Sequence, residues 1–358
     1  MAYTTINKSS ANFITKRYSG NGSTGHAITT GTFQPDWSLL KVIESGSSGD
    51  WELYDALRGA TNRIYPNSSA KQDTQAQGLQ SFTSTGFTVG TNNAVNANNQ
   101  AYISYNFKAN GAGSTNTDGS VSATVSANPT AGFSIVKYTN PSSGTPFTLG
   151  HGLGKPPTFI LAKQYDPSDS ANNWGLWHQS LGFGKYLILN SSSAEATANL
   201  VTATSNTTFS TYHDHFTNNK EMIAYCWTDI QGYSKFNNYI GNGSATDGSF
   251  IYTGFAPQWV VIKTLADDNF IVFSNQISEN NPSAGSAIEE FNIHRRFNEL
   301  NGTGAIVDSG ASQGIDMLSN GFKIYESNSN LNGSGQEYIY WSFGQSIVGS
   351  NNVPATAR

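Results

Sequence analysis

The sequence has little charge, a single cysteine and no long apolar run. Charged residues make up 12 % of the 358 residues, whereas ordinary soluble domains carry about 25 %. No apolar run approaches the ~18 residues that span a bilayer, and the start, MAYTTINKSS, lacks the apolar segment of a signal peptide. A net charge of −5 gives no overall attraction to nucleic acid. We therefore expect a cytosol-made protein without membrane insertion or nucleic-acid binding.

The one cysteine, Cys226, cannot form an internal disulfide, and its place in the apolar run MIAYCW favours a small buried thiol. Sequons of the type Asn-x-Ser/Thr occur at Asn7, Asn21, Asn67, Asn190, Asn206, Asn242, Asn301 and Asn332. Without a secretory signal we interpret them as turns.

Glycine is abundant, with 36 residues, and turn formers separate short runs of β-branched and aromatic residues, which indicates an all-β protein. One pattern, proline-x-aromatic-x-x-x-lysine, occurs as PDWSLLK (35–41), PTFILAK (157–163) and PQWVVIK (257–263). Chance would give this pattern roughly 0.05 times in such a length, so three occurrences indicate an internal repeat. We interpret the lysine as a strand-end charge that discourages edge-to-edge pairing.

Further landmarks recur in each copy. Trp51 precedes Asn67 by sixteen residues, and Trp174 precedes Asn190 by the same number. Each copy closes with a strand of alternating pattern, namely AYISYNF (101–107), EMIAYCW (221–227) and EYIYWSF (337–343). The distance from the motif lysine to the isoleucine of this strand is 62, 60 and 76 residues, so the third copy contains an insertion.

These patterns predict three tandem lectin-like β-sandwiches of the jelly-roll or concanavalin-like kind, the size and turn spacing being those of two-sheet sandwiches. Their ranges are 11–109, 120–231 after a linker at 108–120, and 232–347, followed by a C-terminal tail at 348–358. The insertion SAIEEFNIHRRFNELNG (286–302) predicts a helix, because Ser286 and Glu289 form a capping box and Ile288, Phe291 and Phe297 have near-helical spacing.

Four segments follow one another in the order GNGS, YTGF.P.W…K, LSNGF and EYIYWSF, and the middle copy contains TAGFSIVKYT and GHGLG.PP. This order resembles a repeat of marine bacteriophage virion proteins that are related to tail-fibre and capsid-associated proteins. The resemblance covers essentially the whole chain. It implies a concanavalin-like repeat of unknown function, made in the bacterial cytoplasm and displayed on the outside of a virion, and it transfers no catalytic residue. Copy two departs most, since TTF (207–209) replaces the NGF of LSNGF.

Residues that could carry chemistry are sparse. Aromatic strands offer Trp51, Trp174, Trp177 and His178 as ligand-binding candidates, with core packing as the alternative. His213 and His215 are candidate metal ligands without an evident third ligand, and His294, Arg295 and Arg296 are candidates for an interaction surface. Glycoside hydrolysis needs two carboxylates on one face, and the spacing of Glu52 and Asp55 places them on opposite faces of a strand. We expect no enzyme activity and no cofactor.

The sequence therefore predicts a non-enzymatic phage structural protein, a capsid decoration or head-fibre protein. The alternative is a tail-fibre adhesin that recognises host surface polysaccharide. Expected partners are major capsid or tail proteins and further copies of the chain.

Overall fold

The computed structural model describes residues 3–43, 49–141, 145–168, 171–212, 216–277, 293–294, 296–303, 307–308, 314–346 and 348, and these residues form an all-β protein. Copy one contains a 3-10 turn at Ser9–Ala11 and one short helix, α1, at Asn93–Asn96. Its strands are β1 Phe13–Ser19, β2 His26–Thr29, β3 Trp37–Val42, β4 Glu52–Asp55, β5 Asn62–Arg63, β6 Asp73–Thr74, β7 Leu79–Thr83, β8 Gly86–Val89 and β9 Ala101–Phe107.

Copy two begins with an added hairpin. Its strands are β10 Ser114–Asn116, β11 Ala123–Asn128, β12 Phe133–Thr139, β13 Phe147–Gly150, β14 Phe159–Gln164, β15 Gly175–His178, β16 Lys185–Ile188, β17 Ala196–Thr197, β18 Ala203–Thr204, β19 Thr208–Thr211 and β20 Glu221–Trp227, with a 3-10 turn at Gln179–Leu181. Strand β10 lies inside the segment predicted as a linker and pairs with β11.

Copy three contains β21 Ser234–Ile240, β22 Phe250–Tyr252, β23 Ala256–Thr264, β24 Ile271–Ser274, β25 Ile293–His294, β26 Arg296–Glu299, β27 Val307–Asp308, β28 Ile315–Leu318, β29 Gly321–Ile324 and β30 Glu337–Gln345. The predicted helix at 286–302 is wrong over its described part, because β26 is extended and pairs with β24, Ile271 lying opposite Glu299. Residues 286–292 lie outside the described residues.

The closing strand of each copy lies between the opening strand and the motif strand. The three sheets contain the orders β1-β9-β3-β4, β12-β20-β14-β15 and β21-β30-β23-β24. The register repeats as well, since each motif lysine lies opposite the closing-strand isoleucine, in the pairs Lys41 with Ile103, Lys163 with Ile223 and Lys263 with Ile339. The repeat detected in the sequence is therefore a repeat of strand pairing.

Each of these sheets is buried on both faces. In copy two, Ile223, Tyr225 and Trp227 of β20 enter a core shared by all three copies, whereas Met222 and Cys226 face a second core beneath the small sheet β13-β19-β18. Copies one and three repeat this arrangement with their small sheets β2-β8-β7 and β22-β29-β28-β25. Each copy thus has a core between its larger and its smaller sheet, and its larger sheet also packs against the other copies. The buried-thiol interpretation of Cys226 is confirmed.

The shared core contains the aromatic residue of each sequence motif. Trp37, Phe159 and Trp259 line a small apolar cavity of about 30 Å³ where the three larger sheets meet. Phe13, at the start of copy one, packs on Phe343, at the end of copy three, with ring centroids 5.2 Å apart. The backbone N–H of Ser9 donates to Oε1 of Gln345 at 2.7 Å. Copies one and three are therefore neighbours in space.

An asparagine in each copy fixes the aromatic strand, and we call these three residues, Asn67, Asn190 and Asn301, the staple asparagines. Oδ1 of Asn67 accepts the backbone N–H of Trp51 at 2.9 Å, and its Nδ2 donates to Asp50 at 2.8 Å. The equivalent partners are Trp174 and Asn173 for Asn190, and Phe270 and Asn269 for Asn301. In copies one and two these two hydrogen bonds join the ends of a segment in which the asparagine follows the tryptophan by sixteen residues, which explains the repeated spacing.

The motif lysines connect neighbouring copies. Their Nζ atoms donate to carbonyls two residues beyond a staple asparagine, namely Lys41 to Thr303 at 3.2 Å, Lys163 to Ser69 at 2.8 Å and Lys263 to Ser192 at 3.4 Å. Backbone N–H groups of the same lysine-bearing copies reach the same carbonyls, from Gly49, Asn172 and Asp268. Copy one bonds to copy three, copy three to copy two and copy two to copy one, so the contacts close a ring.

The interpretation of these lysines as strand-end charges is wrong. All three are fully buried, and the strands that carry them are paired on both sides. Burial lowers the pKa of Lys41 and Lys263 to about 8 and the pKa of Lys163 to about 7. Among the described residues none of the three forms an ion pair, and each ammonium lies 5.6 to 5.8 Å from the centroid of its own copy's aromatic ring.

Candidate functional site

The aromatic ligand-binding candidates are all buried. Trp51 and Trp174 have no exposed surface, and their indole N–H groups donate across the ring to the carbonyls of Glu299 and Tyr65. Trp177, 2 % exposed, donates to the carbonyl of Gly182. The three tryptophans are therefore placed as core-packing residues, which was the alternative to ligand binding.

His178 is also fully buried, and its Nε2 lies 3.2 Å from the carbonyl oxygen of Tyr340 in copy three. Burial lowers the pKa of His178 to about 3, so the imidazole is neutral at ordinary pH. Its place is between two copies, where it contributes to their packing.

The other candidates lie largely outside the described residues. His213, His215 and Arg295 are among the residues left undescribed, and of His294 and Arg296 the structure gives only the backbone, in β25 and β26. Within the described ranges no group of three or more histidine, cysteine or acidic residues could hold a metal ion.

Glu52 and Asp55 diverge, as their spacing predicts. Glu52 accepts from the hydroxyl of Tyr54 at 2.5 Å, whereas Asp55 accepts from Arg58 and, at 2.7 Å, from the hydroxyl of Tyr225 in copy two. The two carboxylates therefore belong to different networks on opposite faces of β4, and they do not form a pair across one site.

An open polar cleft of about 540 Å³ lies on copy one, between the α1 segment and strands β4 and β5. Residues with polar side chains that line it are Asp50, Glu52, Arg63, Tyr65, Asn92, Asn93, Asn98, Gln100 and Tyr102. Asp50, Asn93 and Asn98 are exposed at its rim, and Tyr65 is half-buried. Sequence analysis did not identify this polar concavity.

A charged network forms one wall of the cleft. Nη1 of Arg63 donates to Glu52 at 2.5 Å, and its Nε and Nη2 donate to the two oxygens of Asp73 at 2.9 Å. Burial raises the pKa of the Glu52 carboxyl, and Arg63 partly offsets this effect. The guanidinium lies 5.2 Å from the ring centroid of Tyr65. All three donor-bearing nitrogens of Arg63 are thus bonded within the protein.

The α1 segment is held by hydrogen bonds of its own. Asn92 caps α1 by accepting the backbone N–H of Ala94 at 2.8 Å. The buried amide of Asn96 donates to the carbonyls of Gly90 and Ser23, at 2.7 and 2.9 Å. Asn93 and Asn98 are therefore presented to the cleft by a fixed backbone.

The fold does not require the charged wall. Counting from the staple asparagines and their aromatic partners, Glu52 corresponds to Gly175 in copy two and Ile271 in copy three, and Arg63 corresponds to Tyr186 and Phe297. Comparing the three copies position by position would have shown this difference in the sequence itself.

Copy three differs from copy one at the rim of this cleft. The loop of copy three that corresponds to the α1 segment is joined to Asp268, because Oγ of Ser329 donates to this carboxylate at 3.3 Å. Gly49 takes the place of Asp268 in copy one, because both residues donate their backbone N–H to the carbonyl two residues beyond a staple asparagine. Without a side chain at Gly49, the cleft of copy one stays open.

The fold is that of an all-β protein built from three like copies, with a polar cleft on copy one. The chain belongs to the DUF7483 family, a domain of unknown function whose family model matches residues 8–346 as one unit. No curated protein and no solved structure matches significantly. None of the helices in the described ranges has the length and apolar character needed to cross a membrane.

Proposed function

We propose that the protein is a non-enzymatic structural component of a bacteriophage particle, displayed on its exterior as a capsid decoration or head-fibre protein. Its three copies are lectin-like sandwiches in this proposal, as the resemblance of the repeat motifs to virion proteins implies. The observation that carries the proposal is the closed ring, in which the buried polar side chains are used to join copies to one another.

The ring supports a building-block role on physical grounds. A chain of three like copies arranged in a ring offers like surfaces in three directions, as a symmetric trimer would, and such a unit suits a particle position with several equivalent neighbours. Low overall charge, at 12 % charged residues, favours close packing against capsid or tail proteins.

Peptide counting on purified virions tests the location. A decoration protein should be present at on the order of hundreds of copies per particle, because it follows the symmetry of the capsid lattice. A count of about a dozen would contradict the decoration role and favour a tail fibre.

A tail-borne adhesin that recognises host polysaccharide is the second candidate, and the open cleft on copy one favours it. Recombinant protein should then bind host cells and block infection by the intact phage. Unchanged infection at saturating protein would contradict this role.

A further inference from the structure

We propose that the cleft on copy one is a binding site for an uncharged saccharide. This inference concerns the isolated protein and does not depend on where in a particle the chain is located. It rests on the groups left available in the cleft, on their charge and on the comparison among the three copies.

The available groups both donate and accept hydrogen bonds. Asn93 and Asn98 present exposed amides, and each amide carries two N–H donors and an oxygen acceptor. Asp50 is exposed between them and the staple, with Oδ1 bonded to Asn67. Sugar hydroxyls donate and accept at once, and planar amide and carboxylate groups can bridge neighbouring hydroxyls.

The charges in the cleft argue against an anionic ligand. The one cation among the lining residues, Arg63, donates through Nε, Nη1 and Nη2 to the carboxylates of Asp73 and Glu52, which already offset its charge. The exposed Asp50 adds a negative charge beside it. An uncharged ligand avoids this repulsion, and the half-buried ring of Tyr65 adds an apolar surface of the kind on which the C–H face of a sugar packs.

The residues of the charged wall differ among the three copies. A buried ion pair such as Glu52 with Arg63 contributes little or nothing to stability compared with apolar residues, and the other copies carry uncharged residues at these positions. Gly49 also leaves space that Asp268 bridges in copy three. Copy one therefore carries both a costly charged wall and the space in front of it, and neither is needed for the fold.

The test uses the full-length protein and a panel of neutral oligosaccharides built from glucose, mannose, galactose and N-acetylglucosamine, with polygalacturonate and a sulfated galactan as anionic comparisons. Binding is measured by saturation-transfer NMR and calorimetry. We expect at least one neutral oligosaccharide to bind, with an affinity that is insensitive to added salt because no charge is neutralised.

Two variants alter the cleft in different ways. Asn93→Ala combined with Asn98→Ala removes the exposed amides, and Gly49→Asp introduces the side chain that copy three carries. Each should weaken binding by about tenfold or more. Asn206→Ala, at an exposed asparagine of copy two, is the matched control and should leave the affinity unchanged. Thermal unfolding establishes that each variant is folded.

The proposal is overturned if no neutral oligosaccharide binds at millimolar concentration, if only the polyanions bind, or if both cleft variants bind as the unaltered protein does. None of these results would change the virion peptide count, so failure of the saccharide site and failure of the particle role are distinguishable.

Discussion

At the scale of single residues, the staple asparagines and the motif lysines show how polar side chains satisfy backbone groups near the contacts between copies. Each staple asparagine satisfies a backbone N–H at the start of a buried strand, and each lysine satisfies a carbonyl of the next copy. A buried polar group that loses its partner costs about 1–3 kcal/mol. These side chains therefore help to fix the backbone conformation where the copies meet.

The staple in copy one should be more sensitive to charge than the staple in copy two. Nδ2 of Asn67 donates to a carboxylate, Asp50, whereas Nδ2 of Asn190 donates to the amide of Asn173, which can rotate to present its own N–H. We expect Asn67→Asp to lower the free energy of unfolding by about 1 kcal/mol more than Asn190→Asp. Urea unfolding near neutral pH measures the difference.

Added salt provides the control for this comparison, since screening between the exposed carboxylates should narrow the gap. Equal losses of unfolding free energy in the two variants would show that repulsion by the carboxylate of Asp50 does not account for the difference.

The buried lysines predict a stability that rises with pH. Their pKa values are lowered by burial to about 8, 7 and 8, so between about pH 7 and pH 9 the unfolded chain binds more protons than the folded chain, and the free energy of unfolding increases with pH. Replacing all three lysines with methionine should flatten this rise. Urea midpoints across that pH range measure it.

Lys155→Met is the matched control, because Lys155 is exposed. It should leave the slope unchanged. A triple variant with the slope of the unaltered protein would refute the assignment of the pH dependence to Lys41, Lys163 and Lys263.

At the scale of strands, copies two and three share one pairing next to the staple asparagine. Gly175 lies opposite Ile188 in copy two, and Ile271 lies opposite Glu299 in copy three, and both partners stand two residues before a staple asparagine. Phe270 precedes Asn301 by 31 residues, against sixteen in the other copies. The insertion of copy three therefore lies between β24 and β26 and leaves the pairing intact.

Removing the insertion should consequently be tolerated. Deletion of residues 278–292 restores the sixteen-residue spacing, and Ile277 then takes the place that Leu181 has in copy two, both side chains lying in the shared core. We expect the free energy of unfolding to change by less than about 1 kcal/mol, since loop length has a weak effect. Circular dichroism and urea unfolding test this expectation.

Deletion of residues 59–65 is the contrasting control. It removes β5 and shortens the sixteen-residue spacing between Trp51 and Asn67, so it should abolish folding. If the first deletion were as damaging as the second, the insertion would be part of the fold.

The closing strands and the repeat could be predicted from the sequence, because period-two alternation is local and the repeated spacing can be counted directly. The sequence did not contain the partners that lie across the ring. The pattern around Phe297 suggested a helix, but pairing of β26 with β24 overrode it. Lys263 suggested a strand end because its acceptor in the neighbouring copy, Ser192, is 71 residues away in the sequence. The cleft has no motif, since its wall and rim come from segments far apart in the chain.

At the scale of the whole molecule, the shared core makes the copies interdependent. A copy produced alone would expose one side of its larger sheet, including Trp174, Tyr225 and Trp227 in copy two. Residues 120–231 expressed alone should therefore be unfolded or aggregated, because the lost burial is large at roughly 25 cal/mol per Å² of apolar surface.

The full chain should unfold in a single transition, with equal calorimetric and van't Hoff enthalpies. Calorimetry of the chain and near-ultraviolet circular dichroism of the fragment measure the two expectations. Three separate transitions, or a fragment with fixed aromatic signals, would contradict the shared core.

The contact of Ser9 with Gln345 has a topological consequence. The first strand of copy one and the last strand of copy three are neighbours. The same ring could therefore be built from a chain in which the copies follow one another in a different order. A circular permutant that begins in the segment before β10, with a short flexible connection between copies three and one, should reach the same arrangement of sheets. The ring of contacts, and not the order of the copies along the chain, therefore defines this architecture.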